Sequence, residues 1–288
     1  MPPGTYRGRF APSPTGDLHF GSLIAAVASY LQAASQSGEW LVRIDDIDPP
    51  RQVSGSAERI LRDLARMGMR PSTAADYQST RLVRFRAARD RLLDSGRAFH
   101  CGCTRADMPA DGAYPGTCRN GIPRGKQARS VRLKTEARAI EFEDAVQGGM
   151  SADLSRDQGD FVIWRADDLP SYQLATAMDD AAPGVTEVVR GADLLESTFR
   201  QIAVRRALGL ACPGYAHVPV ATRDGEKLSK RLGSDPVAGG DPVAAVSSAL
   251  DFLGQGPPKS GCLEELWSWA RRHWDLSRVP ACLAREAP

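Results

Sequence analysis

Residues 8–34 read GRFAPSPTGDLHFGSLIAAVASYLQAA, and the rest of the chain is organised around this stretch. The segment Thr5 to Phe10 predicts a short strand, which the prolines that follow bring to an end. A helix is predicted to begin near Gly21 or Ser22, because apolar residues recur from there at helical spacing. The stretch therefore predicts a strand, a proline-rich turn and an amphipathic helix, in that order.

The junction between this strand and helix contains the tetrapeptide HFGS, residues 19–22. Gly21 has no Cβ and lets a ligand approach the backbone closely. The free N–H groups at the start of a helix favour an anion, and His19 would lie beside it. We interpret the junction as the phosphate end of a nucleotide site, built differently from a P-loop. Taken alone, the tetrapeptide is equally compatible with an ordinary capping turn.

The composition is that of an ordinary soluble globular protein, with 42% hydrophobic and 25% charged residues. No apolar run approaches the ~20 residues of a membrane-spanning helix, and the N-terminus lacks the apolar core of a signal peptide. We therefore expect a cytoplasmic protein with no membrane partner. The net charge of +2 produces no overall field that would attract nucleic acid.

Strands and helices alternate along the first part of the chain. A strand is predicted at Glu39–Asp45, followed by helices at Ser54–Met67 and Thr80–Ser95. Further strands are predicted at Ser171–Thr176 and Val185–Arg190. This alternation is typical of a parallel sheet in an α/β domain.

The later part of the chain predicts three more helices. One is expected to begin at Thr198, because Gln201 follows it at the capping-box spacing. Another begins at the Asp241-Pro242 pair, and the last covers Leu263 to Trp274. Residues 223–236 are interpreted as a polar loop that contains glycine.

Residues 100–126 are rich in glycine, proline, cysteine and arginine, and we interpret them as an insertion into the sheet domain. Short strands of the same insertion are predicted at Ser130–Leu133, Ala139–Phe142 and Phe161–Arg165. Within it, Cys101, Cys103 and Cys118 lie inside eighteen residues, which in a reducing compartment indicates a metal site more than a disulfide. The alternative is three free cysteines in a loop. Cys212, Cys262 and Cys282 are expected to be isolated, and buried or inert.

A second basic motif, KLSKR, occupies residues 227–231. It contains two of the five lysines of a chain that otherwise uses arginine. A lysine is a compact charge on a flexible stem, and it can follow a phosphate that moves during a reaction. The competing interpretation is a solvated basic loop.

Together, HFGS and KLSKR resemble the HIGH and KMSKS signatures of the class I aminoacyl-tRNA synthetases. The chain is most similar to the glutamyl branch, through the stretches GRFAPSPTGDLHFGS, VRIDDIDPPR, LPSYQLATAMDD and VTEVVRGADLLEST. The resemblance extends with gaps from Arg7 to about Arg231. It implies a Rossmann-type parallel sheet, the catalytic domain of that family.

Two features resemble the short paralogues within that branch. The chain ends about 55 residues after the lysine motif, which leaves no room for the anticodon-binding domain of a full glutamyl-tRNA synthetase. The pattern of Cys101, Cys103, Tyr114 and Cys118 matches the zinc site of those paralogues. The resemblance implies that L-glutamate is activated with ATP without tRNA and then attached to the queuosine base in the anticodon of tRNA(Asp).

With four protein ligands the zinc would be structural, because no open position remains for catalysis. A tyrosine ligand is unusual, and His100 competes with Tyr114 by proximity. The expected organisation is a catalytic domain over residues 1–236, an insertion at about 98–165 with the zinc site, and a short helical C-terminal piece over 237–288.

Glutamate offers two carboxylates and one ammonium group, and arginine forks suit carboxylates. The resemblance implies that glutamate is bound by Arg9, Phe10, Ala11, Pro12, Ser13, Asp45, Tyr172 and Arg190. Arg9 and Arg190 end predicted strands, where open α/β sheets bind ligands. The family has Glu where this chain has Asp45, whose carboxylate is set back by roughly 1.3 Å. A backbone shift, a water or Asp46 would have to compensate.

The expected catalytic residues are His19, which stabilises charge on the phosphates, and Lys230, which follows the leaving pyrophosphate. ATP is expected to bind with Mg²⁺, which neutralises phosphates. The residues expected to hold ATP are His19, Gly21, Ser22, Lys227, Ser229 and Lys230.

Two alternatives stay open: a truncated glutamyl-tRNA synthetase that charges the tRNA 3′ end, and a non-catalytic nucleotide- or RNA-binding module. The intact Arg9, His19, Arg190 and Lys230 argue against the second. A monomer is the default expectation, and Arg119, Arg124 and Arg129 are candidates for an RNA-contacting patch.

Overall fold

A computed structural model describes residues 5–109, 112–228, 237 and 239–287. The helices are α1 (Phe20–Ser35), α2 (Ser56–Arg66), α3 (Leu82–Asp94), α4 (Leu154–Asp157), α5 (Tyr172–Ala181), α6 (Leu195–Leu208), α7 (Pro242–Phe252) and α8 (Leu263–His273). The strands are β1 (Arg7–Phe10), β2 (Glu39–Ile44), β3 (Asp76–Tyr77), β4 (Ala98–Cys101), β5 (Ser130–Leu133), β6 (Ile140–Asp144), β7 (Gly148–Ala152), β8 (Phe161–Trp164), β9 (Glu187–Gly191), β10 (Gly214–Val218), β11 (Val220–Arg223), β12 (Glu226–Lys227) and β13 (Ala284–Glu286). Within these ranges, no helix is long and apolar enough to cross a bilayer.

Two sheets with parallel strands form the centre of the domain, as the alternation of strands and helices predicts. One contains β1, β2 and β3, all parallel. The other has the order β7-β6-β10-β9, in which β6, β10 and β9 are parallel and β7 is antiparallel. The N–H of Thr186, just before β9, donates to the carbonyl of Arg7 in β1 at 2.9 Å, so the sheets lie side by side. The α/β class with parallel strands is confirmed.

Helix α1 is buried between these sheets and the C-terminal helices. Leu23, Val27 and Leu31 repeat along its buried side, and each is fully inaccessible to solvent. On the other side of α1 lie α7 and α8, and the Trp267 indole donates to the carbonyl of Met67 at 2.7 Å. The C-terminal helices therefore share one hydrophobic core with the N-terminal half. The predicted boundary after residue 236 follows residues that the structure does not describe, and it stays a prediction.

The inserted region has its own antiparallel sheet, with the order β4-β5-β8. The prediction that Ala139–Phe142 belongs to this insertion is wrong. The strand observed there, β6, joins the sheet of β9 and β10, where Asp144 pairs with Tyr215. A short amphipathic strand indicates which face is buried, but it does not indicate which sheet it joins.

Two local predictions are wrong. Ser171–Thr176 is not a strand, because α5 begins at Tyr172 and the Ser171 hydroxyl accepts the N–H of Leu174 at 3.4 Å as its cap. A short apolar run does not distinguish a buried strand from a buried helix. Thr198 is not a cap either, since α6 begins three residues earlier, at Leu195.

Candidate functional site

A cleft of about 670 Å³ opens where β1, β9 and β10 end and α1 begins. It is the position at which open α/β sheets bind ligands. Its lining includes the predicted residues Arg9, Phe10, Ala11, Pro12, Ser13, His19, Gly21, Ser22, Tyr172 and Arg190. The structure therefore brings the predicted glutamate-binding and phosphate-binding groups, except those treated below, into one cavity.

The start of α1 forms one wall of this cleft. His19 is the N-cap, in extended backbone conformation, and its ring lies against Ser22, with Nε2 2.9 Å from the hydroxyl. A Cβ at Gly21 would lie 3.2 Å from the His19 ring and 3.6 Å from the carbonyl of Leu228. A side chain here would be in tight contact with the imidazole, because the helix start, His19 and the chain at Leu228 lie close together. The first-turn N–H groups then favour an anion in the cleft.

The lysine motif is described only at its beginning. Leu228 lines the cleft, and its N–H donates to the carbonyl of Ala221 at 2.9 Å, so the chain enters the motif at the cleft. The backbone of Lys227 belongs to β12. Ser229 and Lys230 lie outside the described residues, and their predicted roles stay predictions.

Arg9 is held by a buried carboxylate behind the cleft. Its Nε and Nη2 donate to the two oxygens of Asp180 at 3.2 and 3.3 Å, and Arg43 Nη1 donates to the same carboxylate at 2.5 Å. All three side chains are almost completely buried. Although burial raises the pKa of Asp180, the charges of Arg9 and Arg43 outweigh it and hold that pKa far below its ordinary value.

Asp45 is not among the residues that line the cleft. It is buried, and its Oδ1 accepts the Nε–H of Arg43 at 2.7 Å, two residues earlier on the same chain. Burial raises the pKa of Asp45 while Arg43 opposes that rise. The shorter aspartate is therefore turned toward the arginine of its own strand, and its predicted contact with the glutamate ammonium stays a prediction.

Arg190 is the penultimate residue of β9 and lines the cleft. Its Nε donates to His217 Nε2 at 3.1 Å, and its Nη2 donates to the Thr198 hydroxyl at 2.7 Å. Its Nη1 is buried without a hydrogen-bond partner. Desolvation lowers the pKa of this guanidinium. Tyr172, the first residue of α5, lies across the same cavity.

The sequence analysis did not identify the groups that hold these arginines. Asp180 and His217 were missed, together with Asp144, whose Oδ2 lies 2.5 Å from His217 Nδ1. The sequence offers one signal for such groups, which is a charged residue at a position where a buried helix would have an apolar one. Asp180 in α5 is an example. That signal does not say which arginine the carboxylate meets.

The three clustered cysteines converge, as their spacing predicts. The Sγ atoms of Cys101, Cys103 and Cys118 lie within 4.8 Å of one another. The Tyr114 hydroxyl oxygen lies 3.6 Å from Cys101 Sγ and 4.0 Å from Cys103 Sγ. In a tetrahedral zinc site with Zn–S near 2.3 Å, neighbouring sulfurs lie about 3.8 Å apart, so these four atoms fit one ion. His100 is exposed and does not belong to the cluster.

The surroundings of the cluster favour the thiolate at Cys101, whereas burial and the neighbouring cysteines raise the pKa of Cys103 to about 11 and burial raises the pKa of Tyr114. Arg132 Nε donates to Cys101 Sγ at 3.3 Å, and its guanidinium lies 4.0 Å from the centre of the Tyr114 ring. Burial raises the pKa of Cys101, but hydrogen bonds from Cys103, Tyr114 and Arg132 lower it to about 7. The other three cysteines are isolated, but they are not buried: Cys212 and Cys262 are exposed and Cys282 is half-buried.

Comparison with known proteins extends this picture over the whole chain. Residues 5–112 and 116–242 match the family model of the catalytic domain of class I tRNA synthetases of the E and Q type. A protein of Chromobacterium violaceum named glutamyl-Q tRNA(Asp) synthetase is 52% identical over 285 residues, which cover 96% of each chain. Proteins of the same name from Aromatoleum aromaticum and Pseudomonas aeruginosa are 49% and 44% identical.

Solved structures agree with the sequence relatives. A glutamate-tRNA synthetase from Elizabethkingia anophelis superposes with a TM-score of 0.81 at 26% identity, over 98% of this chain and 68% of that chain. A glutamate tRNA ligase from Elizabethkingia meningosepticum gives a TM-score of 0.82 at 25% identity, over 99% of this chain and 67% of that one. The fold therefore corresponds to that of a synthetase catalytic domain.

Proposed function

The chain belongs to the class I tRNA synthetases of the glutamate and glutamine type, and we propose that it activates L-glutamate with ATP and transfers it to the queuosine base of tRNA(Asp). It is a ligase. The observation that carries the proposal is one cleft that combines the helix start at His19 with the arginines Arg9 and Arg190. Relatives of nearly the same length, named for this reaction, support the choice of acceptor.

The glutamate end of the cleft is the end with the arginines. Arg9, the residues that follow it through Ser13, Tyr172 and Arg190 all line this cleft. Guanidinium groups bind carboxylates through paired N–H donors, and both arginines are fixed by buried partners, so little side-chain entropy is lost on binding. Glutamate fits this pair because it has a carboxylate at each end.

The ATP end is the start of α1. His19, Gly21 and Ser22 would receive the phosphates, and Lys227, Ser229 and Lys230 would close on them from the other side. ATP would enter as its Mg²⁺ complex, in which the metal neutralises part of the phosphate charge. Leu228, the second residue of the motif, lines the cleft, and its carbonyl lies close to Gly21 at the start of α1. This proximity supports the arrangement.

The first step joins glutamate to the nucleotide. An α-carboxylate oxygen attacks the α-phosphorus of ATP, the bond to the bridging oxygen breaks, and pyrophosphate leaves. His19 and the helix N–H groups stabilise the negative charge that grows on the phosphates, and Lys230 follows the departing pyrophosphate. In the second step, a hydroxyl of the acceptor nucleotide attacks the carbonyl carbon of the glutamyl-adenylate, and AMP leaves. Positioning supplies most of the catalysis in both steps.

We propose that the cluster of Cys101, Cys103, Tyr114 and Cys118 holds one structural zinc ion. Three thiolates and one phenolate oxygen fill a tetrahedral shell, so the ion braces the irregular segment and takes no part in catalysis. The convergence of the four side chains and the proximity of Arg132 support the proposal. We also propose a cytoplasmic location, since ATP and tRNA are its substrates, with a monomer as the default state.

Two assays test the proposed function. The purified chain should exchange pyrophosphate into ATP when glutamate is added, with no RNA present; no exchange would leave only a binding module. Charging of queuosine-containing tRNA(Asp) with labelled glutamate, followed by nuclease digestion, then locates the label. Label on an anticodon fragment supports the proposal, and label on the terminal adenosine identifies an ordinary charging enzyme.

A further inference from the structure

The guanidinium of Arg190 is held only by neutral groups. It donates to His217 Nε2, to the Thr198 hydroxyl and to the Leu194 carbonyl. None of the ion pairs found among the described residues includes it, whereas Arg9 is paired with Asp180. Arg190 is 4% exposed, and its Nη1 is left without a partner. A buried cation in this state favours an incoming anion.

His217 accepts from Arg190 only if its Nε2 carries no proton. Its Nδ1 lies 2.5 Å from Asp144 Oδ2, a contact that requires a proton on Nδ1. Burial and the nearby Arg190 lower the pKa of His217, which keeps the ring neutral. The single imidazole proton is therefore on Nδ1, and the Nε2 lone pair faces the Nε–H of Arg190 and the Thr198 hydroxyl, each 3.1 Å away.

Asp144 cannot change its orientation. Its Oδ1 accepts three backbone N–H groups, those of Val146, Gln147 and His217, at 2.9 to 3.0 Å. Only Oδ2 is left for the imidazole. The three backbone bonds thus fix the carboxylate, the carboxylate fixes the tautomer, and the tautomer fixes the guanidinium.

We infer that Asp144 and His217 are positioning residues for glutamate binding, which hold Arg190 in place through a neutral acceptor and leave its charge for the substrate carboxylate. This inference rests on the proposed function. A carboxylate at position 217 would hold Arg190 equally well but would cancel its charge. A neutral imidazole with a dictated tautomer holds the guanidinium without competing with glutamate.

The substitution Asp144→Asn tests this chain of contacts with little change of shape. The side-chain oxygen of Asn must stay on the three backbone N–H groups, so its NH₂ faces His217 Nδ1. The imidazole then moves its proton to Nε2, where it opposes the Nε–H of Arg190. His217→Phe removes the acceptor and keeps an aromatic ring, while His217→Gln places an amide oxygen near the position of Nε2.

Kinetics of glutamate-dependent pyrophosphate exchange separate positioning from folding. We expect Asp144→Asn and His217→Phe to raise the KM for glutamate by about 5- to 150-fold, the range for a buried donor left unpaired. The KM for ATP and the kcat at saturating glutamate should stay within about threefold, and His217→Gln should recover most of the glutamate KM. The inference would be overturned if His217→Phe and His217→Gln raised the KM for glutamate equally. It would also be overturned if the KM for glutamate and the KM for ATP changed in parallel.

Nitrogen NMR of the imidazole rings tests the tautomer without any activity. The chain has four histidines, and the signal lost in His217→Gln identifies the one in question. We expect the Nδ1–H tautomer in the wild type at pH 7 and the Nε2–H tautomer in Asp144→Asn. A wild-type Nε2–H tautomer overturns the inference. Absence of exchange in the wild type refutes the proposed function instead, and the two failures are therefore distinct.

Discussion

Two adjacent aspartates of α5, Asp179 and Asp180, should respond oppositely to removal of their charge. Both are almost fully buried. Asp180 accepts three N–H groups from Arg9 and Arg43. Asp179 lies 3.1 Å from Arg81 Nη1 but has its Oδ2 without a hydrogen bond. The substitutions Asp180→Asn and Asp179→Asn therefore form a matched pair on one turn of helix.

The loss of unfolding free energy expected for Asp180→Asn follows from the buried charges. Asp180 is the one ion-pair partner found for Arg9 among the described residues, whereas Arg43 also pairs with Asp45 and Asp179, so the substitution leaves the buried charge of Arg9 without a partner. Breaking a buried pair in this way costs about 3–5 kcal/mol of unfolding free energy. At about 2–4 °C for each kcal/mol in a chain of this size, the melting temperature should fall by about 6–20 °C.

Asp179→Asn should stabilise the folded chain at pH 7. Burial raises the pKa of Asp179 to about 6, against about 3.9 in the unfolded chain. A raised carboxyl pKa means that the charged form destabilises the folded state, here by about 3 kcal/mol at pH 7. This net cost already includes the attractions of Arg43 and Arg81, so the neutral asparagine should raise the unfolding free energy at pH 7 by up to about 3 kcal/mol.

The pH dependence separates the two sites further. As the pH falls from 7 to 5, folded Asp179 takes up a proton and the wild type should gain about 1.3 kcal/mol over Asp179→Asn. The lowered pKa of Asp180 has the opposite sign. Its contribution is complete above about pH 4 and is lost only below that, so the deficit of Asp180→Asn should be constant between pH 5 and 7.

Urea unfolding followed by circular dichroism measures the unfolding free energy of each asparagine variant against the wild type, at pH 7 and at pH 5. Unfolding must first be shown to be reversible, since an irreversible transition reports a rate. Equal destabilisation by the two asparagine variants would refute the reasoning from buried charge. A deficit of Asp180→Asn below about 1 kcal/mol would show that Arg9 and Arg43 do not depend on this carboxylate.

Four further substitutions test the site. Cys103→Ser should lose about one equivalent of zinc by atomic absorption and should unfold at lower temperature, while Cys212→Ser keeps the metal. Lys230→Ala should lower pyrophosphate exchange by about tenfold or more, and wild-type exchange would remove Lys230 from the mechanism. Gly21→Ala adds a methyl group 3.2 Å from the His19 ring, and kcat should fall by about tenfold with an unchanged fold by circular dichroism. Asp45→Ala should raise the KM for glutamate strongly, and an unchanged KM would exclude Asp45 from the pocket.

Long periodic elements were predictable from the sequence, and short ones were not. Helix α1 was found because its apolar residues repeat over sixteen positions, and α7 because Asp241-Pro242 marks its start. The segment from Ser171 failed because its apolar run is too short to show a period. The strand at β6 was found but assigned to the wrong sheet, since its partner Tyr215 lies far along the chain.

The residues proposed to touch the substrate could be selected from the sequence, because ligand-binding residues follow strands and helix starts. The groups that hold them were not. His217 and Asp144 are 73 positions apart, and Arg9 and Asp180 are 171 apart. Such pairs are created by strand order and register, which local sequence does not determine.

The charge balance behind the cleft explains how the pocket can distinguish glutamate from glutamine. Arg9 is already neutralised by a carboxylate that it shares with Arg43, whereas Arg190 has only neutral partners. Of these two arginines, Arg190 is therefore the one that has no ion-pair partner among the described residues. Glutamate brings a net charge of −1 and removes this imbalance, while glutamine is neutral overall and leaves the cation unpaired. Because an unpaired buried charge costs several kcal/mol, we expect the missing counter-ion of Arg190 to favour glutamate over glutamine.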